Sequence, residues 1–316
     1  MSDKKIIAVI GATGAQGGGM ARAILNDKNG EFAVRAVTRS ASSDKAKELV
    51  KLGADVVEAD VDDIQSLKRV FAGCYGAYCV TFYWHHLSPE KELAHAKAMA
   101  EAAKANNLKH VIWSTLEDTR KWIPLNDDRM PTLMGKYKVP HFDSKGEANA
   151  FFKNAGVPTT YLHTAFYWDN FIYFGSGPKK GEDGKYALMF PLGDKKLPAI
   201  AAEDIGKCAY SIFQRGTEFI NKNVWITGEN LTGYQLAEAM SEALGREIVY
   251  KDVPPEVFRG FGFPGADDVG NMLQFKRDFE SDYCGPRSRE FSKSLNPELM
   301  SFKDWLKKYA DKIPLE

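Results

Sequence analysis

The chain has 316 residues, 44% of them hydrophobic and 27% charged, which is an ordinary composition for a soluble globular protein. Its 42 basic and 42 acidic side chains cancel, and this excludes recognition of nucleic acid through a bulk basic surface. The four cysteines form no C-x-x-C pair, which predicts reduced thiols and no metal site. We therefore expect a cytoplasmic protein, with a nuclear location left open. We expect neither a membrane anchor nor direct binding of nucleic acid.

The first half of the chain alternates strand and helix patterns. Apolar runs predict buried strands at 6–10, 32–38, 54–60, 75–81, 109–115 and 158–164. Helical spacing predicts helices at 20–27, 44–53, 64–73, 92–107 and 145–156. The last of these helices could be capped by Asp143 or Ser144. Such alternation predicts an α/β fold with a Rossmann-type, doubly wound parallel sheet.

Two regions depart from this alternation. Residues 118–140 are irregular and contain three prolines, which predicts a mobile lid or a disordered insertion. Residues 165–316 are richer in aromatic residues, and they predict a smaller C-terminal α+β lobe over a cofactor cleft. Within that lobe we predict strands at 223–229 and 247–253 and helices at 232–245 and 301–311. The predicted domains are thus 1–164, for nucleotide binding, and 165–316, for a substrate or partner, with part of 200–230 returning to the first.

A glycine-rich turn follows the first predicted strand and precedes a helix. Its spacing, G-x-x-G-x-x-G, suits a tight turn, close approach of the backbone to a pyrophosphate, and close packing of helix on strand. The start of the helix would offer free N–H groups to the phosphates. The predicted binding turn comprises Gly11, Ala12, Thr13, Gly14, Ala15, Gln16 and Gly17.

The end of the second predicted strand indicates which nucleotide is bound. Proteins that bind NAD usually carry Asp or Glu there, but this chain carries Arg39. A guanidinium group can hold a 2′-phosphate with two hydrogen bonds, so we predict NADP(H) as the cofactor. Asp60 ends the third strand and could accept a hydrogen bond from the adenine amino group. Thr81, Phe82 and Tyr83 end the fourth strand, at the sheet edge where ligands bind.

The chain resembles the NmrA-like family, which comprises atypical relatives of the short-chain dehydrogenases. The resemblance runs nearly end to end and is closest to NmrA-like family domain-containing proteins described as NADP(H)-responsive redox sensors. It rests on the segments "GATGAQG" (11–17), "TRS" (38–40), "GADVVEADVDD" (53–63), "TFYW" (81–84), "HFDSKGE" (141–147), "YWDNF" (167–171) and "GFPGADDVGNM" (262–272).

This resemblance implies roles for several residues. Arg39 would meet the 2′-phosphate, Asp60 and Val61 would flank the adenine, and Lys145 would reach the nicotinamide ribose. Closure over the nicotinamide would involve Tyr167, Trp168, Asp169 and Asn170. The family also implies a regulatory protein partner and homodimerisation. One departure stands out, because Ala94 occupies the position at which relatives carry a lysine facing the cofactor.

Two functions remain open on these residues. A short-chain dehydrogenase would carry Tyr-x-x-x-Lys, whereas this chain has His141 four residues before Lys145. The missing tyrosine favours a redox sensor or regulator that binds NADP(H), and our preferred interpretation of His141 is a residue at a helix start bonded to backbone. The alternative is an NADPH-dependent reductase of a quinone, enone or aldehyde that uses Lys145, with His141 as a weaker candidate for the acid.

Overall fold

The computed structural model describes residues 4–315. The first half of the chain contains β1 (Lys5–Ile10), α1 (Ala15–Asn26), β2 (Phe32–Thr38), α2 (Asp44–Lys51), β3 (Asp55–Glu58), α3 (Ile64–Phe71), β4 (Gly76–Cys79), α4 (Tyr83–His86), α5 (Pro89–Ala105), β5 (His110–Thr115), α6 (Pro140–Ala155) and β6 (Thr159–His163). The second half contains β7 (Phe166–Tyr167), α7 (Asn170–Tyr173), β8 (Lys179–Lys180), β9 (Tyr186–Phe190), β10 (Lys196–Ile200), α8 (Ala202–Gln214), β11 (Asn223–Trp225), β12 (Glu229–Thr232), α9 (Gly233–Leu244), β13 (Ile248–Asp252), α10 (Pro255–Arg259), α11 (Ala266–Asp278), α12 (Glu280–Cys284), α13 (Arg289–Leu295) and α14 (Phe302–Tyr309).

A seven-stranded sheet has the strand order β11-β6-β5-β4-β1-β2-β3. Adjacent strands from β1 to β6 pair in parallel. Every residue of β4 and β5 is buried, as expected for strands covered on both faces. The strand order reverses between β1 and β4, and ligands of open α/β sheets bind beyond the carboxyl ends of the strands at such a point. The predicted Rossmann-type, doubly wound sheet is confirmed.

The chain forms two compact units. The first comprises Met1–Asp118, Ser144–Thr164 and Glu203–Val224, and the second comprises Thr119–Asp143, Ala165–Ala202 and Trp225–Glu316. Two three-stranded sheets, β12-β10-β7 and β13-β9-β8, lie in the C-terminal part of the chain. The proposed division into domains at residue 164 stays a prediction. Within residues 4–315 no helix is both long enough and apolar enough to cross a membrane.

Helix α6 begins at Pro140, so the predicted start at residue 145 is wrong. Asp143 and Ser144 therefore lie inside the helix and do not cap it. Proline suits the first helical position because it lacks the N–H that would have no partner there. The Asp143 carboxylate instead reaches back and accepts the N–H groups of Lys138 and Val139, at 2.8 and 3.1 Å. These contacts with the preceding loop allow the helix to start early.

Residues 119–139 follow a defined path within the second unit, which differs from the expected mobile or disordered segment. The Lys138 ammonium is buried and donates to the carbonyl oxygens of Asp127 and Met130, at 2.7 Å each. The Asn271 side chain donates to the carbonyl oxygens of Pro131 and Lys138, at 3.0 and 2.6 Å. Buried side chains thus satisfy backbone groups that no helix or strand would pair.

Candidate functional site

The turn after β1 requires glycine at two positions. Gly11 has a φ of +65°, which residues with a side chain rarely adopt, and a Cβ there would lie 2.9 Å from the Phe82 ring. A Cβ on Gly17 would lie 2.4 Å from the carbonyl oxygen of Gly11. Gly17 therefore lets α1 pack directly against the turn. This is the arrangement that the glycine spacing predicts.

Helix α1 presents a start that could hold an anion. Its cap, Gly14, makes no side-chain hydrogen bond, and its first turn contains no acidic residue. Gly14 and Ala15 are exposed. Unpaired N–H groups and the helix dipole both favour a negative charge at such a start. The first unit thus offers backbone donors where a pyrophosphate would lie.

The other residues of the turn hold its shape. The buried Ala12 donates its N–H to Val37 at 3.1 Å, which ties the turn to β2. The Thr13 hydroxyl lies 3.4 Å from that of Thr38. The Gln16 side-chain oxygen accepts from Tyr78 at 2.5 Å and from Ser114 at 2.8 Å, on β4 and β5. The Gln16 side-chain oxygen is therefore held by the sheet.

Arg39 is exposed directly after β2. Its Nη1 lies 3.4 Å from His85 Nε2, and its guanidinium lies 5.9 Å from the centre of the Phe82 ring. The hydroxyls of Ser40 and Ser42 lie 3.1 Å apart in the loop that follows. A cation with hydroxyl groups beside it is suited to a phosphate.

The residues predicted to bind the cofactor after β3 and β4 differ in their exposure. Asp60 is exposed, and its carboxylate accepts the N–H of Asp62 at 3.0 Å. The Val61 side chain belongs to the hydrophobic core, so this residue can meet an adenine only through its backbone. After β4, Thr81 and Tyr83 are buried.

Lys145 lies in a buried polar cluster. Its Nζ is 2.6 Å from Glu92 Oε1 and 2.5 Å from the Thr81 hydroxyl, which also donates to Glu92. The Lys145 ammonium lies 5.4 Å from the centre of the Trp113 ring, and the Glu92 side chain is fully buried.

Sequence reasoning missed Glu92, although a signal was available. Glu92 is buried on α5 together with Ala96, Met99 and Ala103, at the spacing of one helix face. A carboxylate on the apolar face of a helix needs a buried partner, and here the partner is Lys145. Ala94, by contrast, is exposed on α5.

His141 is the second residue of α6, at the helix start as we expected, and its ring meets a carboxylate. Its Nδ1 lies 2.6 Å from Asp268 Oδ1, and its N–H donates to Asp268 Oδ2 at 3.1 Å. Both residues are buried in the second unit. Sequence reasoning missed Asp268, which is 127 positions away in the chain. Its place in the segment "GFPGADDVGNM" was the only signal.

The predicted residues 167–170 all lie in the second unit. Tyr167 is half-buried. Trp168 is fully buried, and its indole packs against Phe302 and Trp305, with ring centres 5.3 and 6.4 Å away. Asp169 Oδ2 accepts the N–H of Ala202 at 2.8 Å. Asn170 is the first residue of α7.

The thiols are not primed for reaction. Burial raises the pKa of Cys74, and it raises the pKa values of Cys79 and Cys208 strongly. Burial also raises the pKa of Cys284 to about 11. Nucleophilic cysteines have a lowered pKa, which is the opposite shift. Across residues 4–315, no group of three or more His, Cys, Asp or Glu side chains could hold a metal ion.

The model of the NmrA-like family matches residues 3–306 of the chain. The chain belongs to the NmrA-like family. A similar NmrA-like family domain-containing protein of Dictyostelium discoideum is 28% identical over 98% of this chain and 99% of its own length. The NmrA-like family domain-containing oxidoreductase FrzB of Cladobotryum sp. is also 28% identical, over 90% of this chain and 88% of its own.

Two solved structures show the same fold. NmrA, a negative transcriptional regulator whose structure is also known in complex with NADP, aligns with a TM-score of 0.80. The identity is 22%, over 98% of this chain and 96% of that one. Triphenylmethane reductase of Citrobacter sp., complexed with NADP(H), aligns with a TM-score of 0.73 at 18% identity, over 96% and 99%. This NmrA-like fold thus occurs both in a regulator and in a reductase.

Proposed function

We propose that this protein binds NADP(H) and acts as a redox sensor, whose conformation or association with a regulatory partner responds to the ratio of NADPH to NADP⁺. The glycine turn and the uncapped start of α1 support binding of a pyrophosphate. The exposed Arg39 after β2, where a protein that binds NAD usually carries a carboxylate, supports a preference for the 2′-phosphate.

The contacts of Lys145 are the observation that favours a sensor over an enzyme. Reduction of a carbonyl needs a proton donor at the developing alkoxide. The buried Glu92 already holds the Lys145 ammonium, at 2.6 Å. His141, in place of the tyrosine, is held by Asp268. The Lys145 ammonium is therefore already paired, and the tyrosine that usually donates the proton is absent, which favours binding without turnover.

The nucleotide itself is the signal in this proposal. Coupling to a partner requires that NADPH and NADP⁺ bind with different affinity to two states of the protein. A thiol signal is poorly supported, because burial raises the pKa of Cys284 to about 11.

The test is a calorimetric titration of the purified protein with NADPH, NADP⁺ and NADH. We expect NADPH and NADP⁺ to bind, NADH to bind at least about ten-fold more weakly, and the two NADP(H) forms to differ in affinity. In parallel, NADPH absorbance is followed with a panel of quinones, enones and aldehydes. Absence of binding by all three nucleotides would overturn the proposal.

A second candidate, an NADPH-dependent reductase of a small quinone, enone or aldehyde, has one observation in its favour. Lys145 lies beside Thr81, just beyond the carboxyl end of β4, where reacting groups of such sheets are found. Similar family members, including FrzB, are named oxidoreductases. Steady oxidation of NADPH that Lys145→Ala abolishes and Lys104→Ala leaves unchanged would favour the reductase.

A further inference from the structure

Two buried polar atoms face each other next to Lys145 without a hydrogen bond. Glu92 Oε2 and His86 Nε2 are 3.7 Å apart, and their side chains are 0% and 9% exposed. Among residues 4–315, neither atom has a hydrogen-bond partner. The other carboxylate oxygen, Oε1, binds Lys145. Glu92 is thus placed between a lysine that it holds and a histidine that it does not yet hold.

The position of the proton on His86 follows from its neighbour. Ser88 donates its N–H to His86 Nδ1 at 3.0 Å, so Nδ1 is an acceptor and the neutral ring carries its hydrogen on Nε2. A second proton would have to go on Nδ1. It would break the bond from Ser88 and give the ring a positive charge beside Glu92. Protonation of His86 therefore removes its hydrogen bond with Ser88 and strengthens its attraction to Glu92.

A short series of side chains connects His86 with the surface. The rings of His86 and His95 lie 5.4 Å apart, and His95 Nε2 is 2.8 Å from Asp62 Oδ1. The Asp62 side chain is 63% exposed. The hydrogen bond from His95 holds the pKa of Asp62 below its usual range. The charged and titratable groups that face His86 are Glu92, His95 and Lys91 from α5, Tyr83 and His85 from α4 and, beyond His95, Asp62.

We propose that Glu92 is a positioning residue for Lys145, and that protonation of His86 draws the Glu92 carboxylate toward His86 and strengthens nucleotide binding. This inference rests on the proposed function, in which Lys145 meets the nicotinamide ribose. A carboxylate shared between two cations holds each of them less tightly. The Lys145 ammonium then becomes free to donate to the nucleotide, and its charge is less compensated.

The sign of the pH dependence follows. Burial lowers the pKa of His86 below the usual histidine range, although Glu92 opposes that shift. His86 is therefore neutral at pH 7.5, and its charged form becomes more populated as the pH falls. Since the charged form binds nucleotide more tightly, the Kd for NADP⁺ should fall as the pH falls. By linkage, bound NADP⁺ should also make His86 easier to protonate.

The experiment is a titration of the full chain with NADP⁺, which is stable in acid, between pH 7.5 and 5.5. We expect the wild-type protein to bind about five-fold more tightly at pH 5.5. His86→Gln should lose this difference. Glu92→Gln should also lose it, and it should bind at pH 7.5 at least as tightly as the wild type. Glu101→Gln is the matched control, since it removes an exposed carboxylate from the same helix, and it should keep the difference.

The outcomes separate the two proposals. Absence of NADP⁺ binding at every pH would overturn the proposed function. If the ratio of the Kd of His86→Gln to that of the wild type does not change with pH, the switch alone would be overturned. Protonation of the 2′-phosphate acts equally on all variants and cancels in the comparison. Thermal unfolding of each variant checks its fold, and His86→Asn replaces His86→Gln if that variant has a lower Tm.

Discussion

At Gly17, the turn after β1 leaves no room for a side chain. A Cβ would lie 2.4 Å from the Gly11 carbonyl oxygen and 2.7 Å from that of Ile10, both of which are backbone atoms. We expect Gly17→Ala to lower the free energy of unfolding by about 2 kcal/mol and to weaken NADP⁺ binding, because α1 must move away from the turn. Urea unfolding and calorimetry measure the two effects.

Gly18 provides the control for this prediction. A Cβ there would first meet the flexible end of Arg22, at 3.2 Å, and then the Ala12 carbonyl oxygen, at 3.3 Å. Gly18→Ala should therefore cost much less than Gly17→Ala, and alanine is also the better helix former. Equal losses in the two variants would show that the turn can yield, contrary to our interpretation.

At the same scale, residues differ in how far the sequence reveals them. The need for glycine at positions 11 and 17 is visible in the local spacing of the glycines, so the turn could be predicted. Glu92 could have been found from the apolar face that it shares on α5. The pair of His141 and Asp268 could not, because no local pattern connects residues 127 positions apart.

Helix α6 depends on a single carboxylate near its start. Asp143 Oδ1 accepts the N–H and the hydroxyl of Thr119, at 2.7 and 2.6 Å, while Oδ2 accepts the N–H groups of Lys138 and Val139. Asp143→Ala would leave these buried donors unpaired, so we expect a loss of about 3 kcal/mol or more in the free energy of unfolding. Residues 119–139 should also become susceptible to limited proteolysis.

Asp183→Ala is the control variant for Asp143→Ala. Asp183 is exposed and accepts only the N–H of Lys185 in a turn, at 3.0 Å, so its loss should change stability by less than about 0.5 kcal/mol. If Asp143→Ala were equally mild and the 119–139 segment stayed resistant to protease, the carboxylate would not be what orders this loop.

The start of α6 also shows why element boundaries escape local rules. The sequence offers Asp143 and Ser144 as ordinary caps, and a cap at either position would start the helix near residue 145. In the structure Asp143 binds backbone from the preceding loop, and the helix starts at Pro140. A tertiary contact thus outweighs a local preference. The strands of the large sheet could be predicted, because a strand that is buried on both faces has a continuous run of apolar residues.

At the scale of the whole molecule, the two units combine segments from distant parts of the chain. The alternation of the first half predicts a parallel sheet, and β1 to β6 pair in parallel. The two small sheets could not be predicted, because strands as short as β7 and β8 carry no periodicity. Their pairing is set by tertiary contacts, and so is the place of Trp168 in the core of its unit.

At the scale of the whole chain, the protonation and burial of the cysteine thiols bear on whether a redox signal acts through cysteine oxidation or through the nucleotide. Cys79 and Cys208 are fully buried, and burial raises the pKa of Cys284 to about 11, so all three are mainly protonated thiols at pH 7.5. We expect iodoacetamide to label the cysteines of the folded protein slowly. After unfolding in urea, it should label all four rapidly, and mass spectrometry measures both rates. The Kd for NADP⁺ should not change after mild treatment with hydrogen peroxide. A several-fold change in that Kd, reversed by a reductant, would instead make a cysteine the sensor.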